Sequence, residues 1–205
     1  MDKEYELDIK RADETSALSD FYCGIESMDI FIHDKENGLE KFIRMRLSNL
    51  WIVYEKDKAV AFFALSKDAL MLNNEDRRMI ESDEEKKEAL VQQGNEEKFW
   101  EKEKFPAIEI DYFAVCKEKR EAKDDHLGTF LIDSIAQMGA EDELSSTLFL
   151  TVEALDTREY SAVDFYRRCD FEFSDKARNK DNYLQMMSGE QPSTRRMYKI
   201  IYPLN

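Results

Sequence analysis

Residues 107–138 read AIEIDYFAVCKEKREAKDDHLGTFLIDSIAQM, and they change character twice. The first part, 108–115, is rich in Ile, Tyr, Phe and Val and follows Pro106, which predicts a strand. Glu109 and Asp111 interrupt its apolar run and share one face by the period of two. The last part carries Leu127, Phe130, Leu131, Ile135 and Met138, spacings of three and four that predict an amphipathic helix. Asp124 or Asp125 is placed to cap that helix, leaving N–H groups at His126, Leu127 and Gly128 outside its hydrogen-bond ladder. A strand, a loop and a helix whose first turn presents backbone N–H groups suit an anionic ligand.

The strand EIDYFAV, its loop and the run KDDHLGTFLI resemble the central motif of the GCN5-related N-acetyltransferases (GNAT family). That family writes the loop as Gln or Arg, two residues, Gly or Ala, one residue, Gly or Ala. Lys123, Asp124, Asp125, His126, Leu127 and Gly128 fall on those six places. Gly128 matches, Lys123 replaces Arg or Gln, and His126 replaces a small residue. The resemblance implies acetyl-CoA as co-substrate, with its pyrophosphate against the amides of these six residues and Thr129. It further implies that backbone N–H groups near Phe113, Ala114 and Val115 hold the acetyl carbonyl where two strands splay apart.

The chain's 205 residues fit one domain with an insertion. Hydrophobic residues make up 42% and aromatics 12%, enough for a core, while 6 Gly and 3 Pro exclude a collagen-like or linker-rich chain. Cys23, Cys116 and Cys169 have no metal-ligand spacing, and an odd, scattered count suits free thiols in a reducing compartment. No apolar run is long enough to span a membrane and the N-terminus lacks a signal-like apolar core, so a cytoplasmic protein is expected. The formal net charge of −15 argues against nucleic acid as a partner and suits steering of a cationic amine, although acidic surfaces also serve solubility.

Outward from the central stretch, residues 5–9 predict an edge strand. Gly24 marks a turn before a helix that Ser27 can cap and that carries Met28, Phe31 and Ile32. This F-x-C-G element resembles one GNAT branch of small bacterial acetyltransferases, some of them toxins that acetylate aminoacyl-tRNA. Its plain alternative is a helix docked by Phe21 and Phe31. Residues 50–55 and 59–66 predict a hairpin through 56–58, and AFFALS resembles a strand of the same branch. Residues 73–104 are densely charged with sparse anchors, including Phe99 and Trp100, and predict one or two helices of an ordered insertion broken at 94–95. Residues 148–155 predict a strand beside 108–115. Ala162, Phe165, Tyr166 and Phe171 match the family's second signature, in which Asp170 replaces a glycine. Residues 194–202 predict a closing strand, with a polar loop over 175–193 before it.

These motifs imply an α/β domain over 1–205: a mixed, mostly antiparallel GNAT-type sheet flanked by helices, with the insertion at about 73–104. The implied activity is transfer of an acetyl group from acetyl-CoA to a primary amine of a small molecule or peptide. A toxin acting on aminoacyl-tRNA and a binding protein that has lost catalysis stand beside it, and a homodimer is left open. Amine acetylation needs a polarised carbonyl, a neutral amine and a proton for the leaving thiolate. By the resemblance Tyr166 is the general acid, since a phenol keeps its proton at neutral pH; a core tyrosine is the alternative. Glu109 is the candidate base, Asp111 the fallback on the same face, and surface carboxylates the alternative for both. No metal site is expected at His33 or His126.

Overall fold

Alternation of β-branched and aromatic residues with polar ones draws strands from most of the stretches just described. The computed structural model describes residues 6–90, 96–122, 126–142, 146–174 and 194–201. Its strands are β1 (Leu7–Ala12), β2 (Asn49–Glu55), β3 (Lys58–Leu70), β4 (Phe105–Val115), β5 (Phe149–Leu155), β6 (Glu172–Phe173) and β7 (Thr194–Ile200). They hydrogen-bond in the order β1-β2-β3-β4-β5-β7-β6, a mixed, mostly antiparallel sheet flanked by helices, as expected. The described residues fall into two compact units, Met1–Ser66 with Ile110–Leu131, and Lys67–Glu109 with Ile132–Asn205.

In the first unit β1 pairs antiparallel with β2, and β2 with β3. The β2–β3 loop is two residues long, with Glu55 opposite Lys58, and Lys56 takes the left-handed backbone (φ +59°) that such tight loops demand. Helix α1 (Glu26–His33) and helix α2 (Leu39–Arg44) follow β1. Ser27 lies inside α1 and does not cap it. No side chain caps α1; Asp29 instead closes the turn before it, its carboxylate accepting N–H from Cys23 at 2.7 Å and Gly24 at 2.9 Å, where the chain turns at Gly24 with φ +77°. Phe31 docks as the plain alternative had it: its ring lies 4.6 Å from Tyr112 and 5.8 Å from Phe42. Phe21 is buried edge-on to Phe62 at 5.5 Å.

In the second unit β7 pairs antiparallel with both β5 and β6. Among the described residues of 73–104 there are three helices, where one or two were expected: α3 (Asn74–Glu81), α4 (Glu84–Leu90) and α5 (Glu96–Trp100); the predicted break at 94–95 lies outside the described residues. A reciprocal pair of side-chain bonds, Asn73 to the α3 amides and Asp76 back to the Asn73 N–H, sets the start of α3. Burial anchors these helices. Ile80 and Leu90 join a cluster with Phe105, Phe149 and Tyr198, and Phe99 and Trp100 pack against it. An ion pair between Lys86 and Glu172 ties α4 to β6. Pro106, expected to mark a strand start, is inside β4; its carbonyl accepts the Leu148 N–H at 3.0 Å, and a proline keeps that acceptor. The expected loop over 175–193 lies outside the described residues.

Helix α6 (Lys117–Glu121) and helix α7 (Leu127–Ala140) follow β4. Leu127, Leu131, Ile132 and Ile135 of α7 are buried, whereas Phe130, placed on the same face by the sequence, is exposed. Helix α8 (Val163–Arg168) precedes Asp170, which adopts φ +64° where the family signature has glycine. Cys23, Cys116 and Cys169 are buried free thiols. Among the described residues no helix is long and apolar enough to cross a membrane.

Candidate active site

The first unit holds the predicted cofactor-binding stretch. Ala114 and Val115 are buried and Phe113 is half-buried at the end of β4. The next residue, Cys116, donates its N–H to Val60 at 2.8 Å, and Lys117 donates to Tyr22 at 2.9 Å, which fixes the exit from the strand. Lys123, Asp124 and Asp125 lie outside the described residues. The α7 ladder opens where the Phe130 N–H reaches the His126 carbonyl at 3.0 Å, so Leu127, Gly128 and Thr129 form the first turn. First-turn amides have no acceptor within the ladder and point along the axis, which gives the turn a partial positive charge. Asp111 accepts from Ser48 at 2.6 Å and from Ser66 at 3.0 Å, two hydroxyls that hold its carboxylate at the centre of the unit's β3–β4 region.

The second unit holds the two predicted catalytic residues. Tyr166 sits on α8 with 5% of its surface exposed, its ring 5.1 Å from Phe165 and 5.2 Å from Phe171. Burial, and to a smaller extent Tyr160 and Cys169, pushes its phenol well above the usual tyrosine range, so the proton stays on. No hydrogen-bond partner meets its hydroxyl among the described residues. Glu109 faces Arg196, whose Nη1 donates to its carboxylate at 2.6 Å. The other end of that guanidinium binds Asp68, and Glu153 lies 3.7 Å away. Asp68 also accepts from the fully buried Thr151 hydroxyl at 2.6 Å. This cluster went unseen in the sequence because its members are spread over four strands. The available signal was the charged pair Lys67-Asp68, which looks like a strand end yet lies inside β3.

No family model matches the chain, and no curated protein matches it. Solved structures do. The toxin KacT, as a Tyr-to-Phe mutant, superposes with a TM-score of 0.59 at 15% identity, over 95% of this chain and 95% of that one. A Tyr-to-Phe mutant of the toxin AtaT, bound to the C-terminus of the antitoxin AtaR and to acetyl-CoA, gives 0.58 at 13% identity over 96% and 94%. AtaT complexed with acetyl-methionyl-tRNAfMet gives 0.54 at 17% identity over 82% and 87%. The fold is that of the GCN5-related N-acetyltransferases.

The described parts of the sequence motifs lie at the Gly24 turn and α1, on β3, on β4–α7 and on α8. The expectation that the acidic charge argues against a nucleic-acid partner finds no support here, because one bearer of this GNAT fold is solved with a tRNA. Net charge sums over a whole surface, whereas phosphate contacts depend on local groups. A small-molecule acceptor likewise has no support from these structures. Among the described residues no group of His, Cys, Asp or Glu is placed to hold a metal ion.

Proposed function

We propose that the chain is an N-acetyltransferase that moves an acetyl group from acetyl-CoA to a primary amine. The observation that carries this is the shared fold, which spans 96% of this chain and 94% of an AtaT structure containing acetyl-CoA. Two features of the chain suit that co-substrate. A helix turn containing Gly128 follows β4, and a buried phenol on α8 has no hydrogen-bond partner among the described residues. An unpartnered buried hydroxyl costs stability, and a role toward a bound group accounts for its presence.

Acetyl-CoA, when bound, supplies the thioester carbonyl to be attacked. In this reading the amides of Leu127, Gly128 and Thr129 carry the diphosphate charge, together with Lys123, Asp124, Asp125 and His126, which precede them in the sequence motif. Amides near Phe113, Ala114 and Val115 polarise the carbonyl and stabilise the oxyanion. Tyr166, which burial keeps protonated at neutral pH, gives its proton to the departing sulfur. Glu109 takes a proton from the substrate ammonium, directly or through water, so that the neutral amine attacks, with Asp111 as the alternative acceptor.

The structure of AtaT with acetyl-methionyl-tRNAfMet favours a second reading, in which the amine is the α-amino group of an aminoacyl-tRNA. Calorimetric titration with acetyl-CoA tests the common core of both readings. Binding is expected at micromolar concentrations, and no heat at millimolar ligand would leave a GNAT-fold protein without catalysis. Thiol release with a charged tRNA, a lysine peptide and spermidine as acceptors then separates the two.

A further inference from the structure

We propose that Arg196 is a positioning residue that fixes the Glu109 carboxylate in its ionised form and in one orientation. This rests on the reading of Glu109 as the base. Arg196 on β7 is the register partner of Glu153 on β5, but its closest bonds run past that neighbour. Nη1 donates to Glu109 on β4 at 2.6 Å, Nη2 binds Asp68 on β3, and Glu153 is left at 3.7 Å. Three of the four groups are shielded: the side chains of Arg196, Asp68 and Glu109 are 18%, 20% and 23% exposed, whereas Glu153 is 49% exposed.

The neighbours make the arrangement rigid. Thr151, fully buried, donates to Asp68 at 2.6 Å, and Thr194 donates to Glu153 at 3.1 Å. Thr151 holds the same Asp68 oxygen that Arg196 binds, and Thr194 holds the other oxygen of Glu153, so the planar guanidinium fork has fixed acceptors on β3 and β5 and Glu109 must meet it there. The charge arithmetic points the same way. Three carboxylates surround this guanidinium, so the group carries two negative charges in excess. Without the cation, Asp68 and Glu153 would both raise the proton affinity of Glu109. A general base that is protonated at working pH accepts nothing, and one free to rotate loses its line to the amine.

Site-specific titration of the Glu109 side-chain carboxyl by 13C NMR tests this, with the signal assigned through Glu109→Gln. In Arg196→Gln the midpoint should rise by roughly 1 to 3 pH units. In Asp68→Asn it should fall, because the guanidinium then serves one carboxylate fewer. Arg196→Lys keeps the charge but loses the fork. Its midpoint should stay near that of the parent while kcat for thiol release drops and the KM for acetyl-CoA holds. Asp68→Asn and Arg196→Lys keep the test open if Arg196→Gln does not fold. An unmoved midpoint in the Gln and Asn variants, or a Lys variant with full kcat, would overturn the positioning role. Full turnover in Glu109→Gln, with the titrations shifted as expected, would instead remove Glu109 as the base and leave Arg196 in a structural ion pair alone.

Discussion

Asp29 closes the turn at Gly24: one carboxylate oxygen accepts the Gly24 N–H at 2.9 Å while the other accepts from Cys23 at 2.7 Å. Two backbone donors thus depend on one side chain on the first turn and a half of α1. Asp29→Ala should cost about 1.5 to 3 kcal/mol, the range for hydrogen bonds to a charged group. In a chain of this size that is a fall in Tm of roughly 3 to 12 °C. Asn at the same place should recover part of it. A thermal melt of Asp29→Ala that overlays the parent would show that the amides find other acceptors.

Tyr166→Phe separates chemistry from packing. The hydroxyl it removes is buried and has no partner among the described residues, while the ring contacts to Phe165 and Phe171 remain. Stability should therefore stay level or rise slightly. Thiol release should slow by roughly 10²- to 10⁴-fold, the usual worth of a positioned proton donor, with acetyl-CoA affinity unchanged by calorimetry. Undiminished turnover would return Tyr166 to the core.

The insertion should behave as part of its unit's core. Leu90 on α4 is buried with Phe105, Phe149 and Tyr198, so Leu90→Ala should cost about 2 to 5 kcal/mol in urea denaturation. The exposed Glu85 on the same helix offers a control, and Glu85→Ala should stay within about 0.5 kcal/mol. Equal effects would mean that α4 is merely laid on the surface.

Glu40 gives a pH signature. Hydrogen bonds from the Thr15 hydroxyl and amide, with Arg44 adding to them, hold its carboxyl below the usual glutamate range. A carboxyl depressed in the native state stabilises the fold above its unfolded pKa of about 4.3. That contribution is lost as pH falls through the lower native value. Glu40→Gln should thus be less stable than the parent at pH 7, with the gap closing below about pH 4. Urea midpoints measured at pH 7, 5 and 3 check it; a gap constant with pH would assign the difference to shape alone.

Cys23 should be inert. Burial, the largest influence, pushes its thiol up to about 11, and only the thiolate is nucleophilic. Iodoacetamide at pH 8 should leave it unmodified by mass spectrometry in the native protein and label it fully in urea. Rapid labelling of the native fold would mean that the Gly24 turn opens readily.

The strands and their motifs were legible because local patterns determine them. Ile108 to Val115, Phe62 to Leu65 and Phe149 to Ala154 carry their own alternation or apolar run. What escaped depended on partners far along the chain. Strand β3 continues past Ser66 through Lys67 and Asp68, residues that read as a strand end until Arg196, 128 positions later, supplies the counter-charge. Ser27 looked like a cap because its type suits one, but no side chain caps α1, and Asp29 two residues on binds the amides of the preceding turn instead. Phe130 fitted the apolar face of α7 by spacing and is nonetheless exposed, since Leu127, Leu131 and Ile135 already fill that face. The roles of Tyr166 and Glu109 were named from resemblance. The packing around Tyr166 and the guanidinium beside Glu109 had no counterpart in any local window.

The strand order β5-β7-β6 has a bearing on synthesis. β7 leaves the ribosome after both of the strands between which it lies, so β5 waits with one edge bare until Thr194 to Ile200 emerge. Unpaired strand edges recruit other chains. A message truncated just ahead of Thr194 would therefore yield a product prone to aggregate rather than a slightly weakened fold, and a short peptide of the β7 sequence supplied in trans is the natural agent to rescue it.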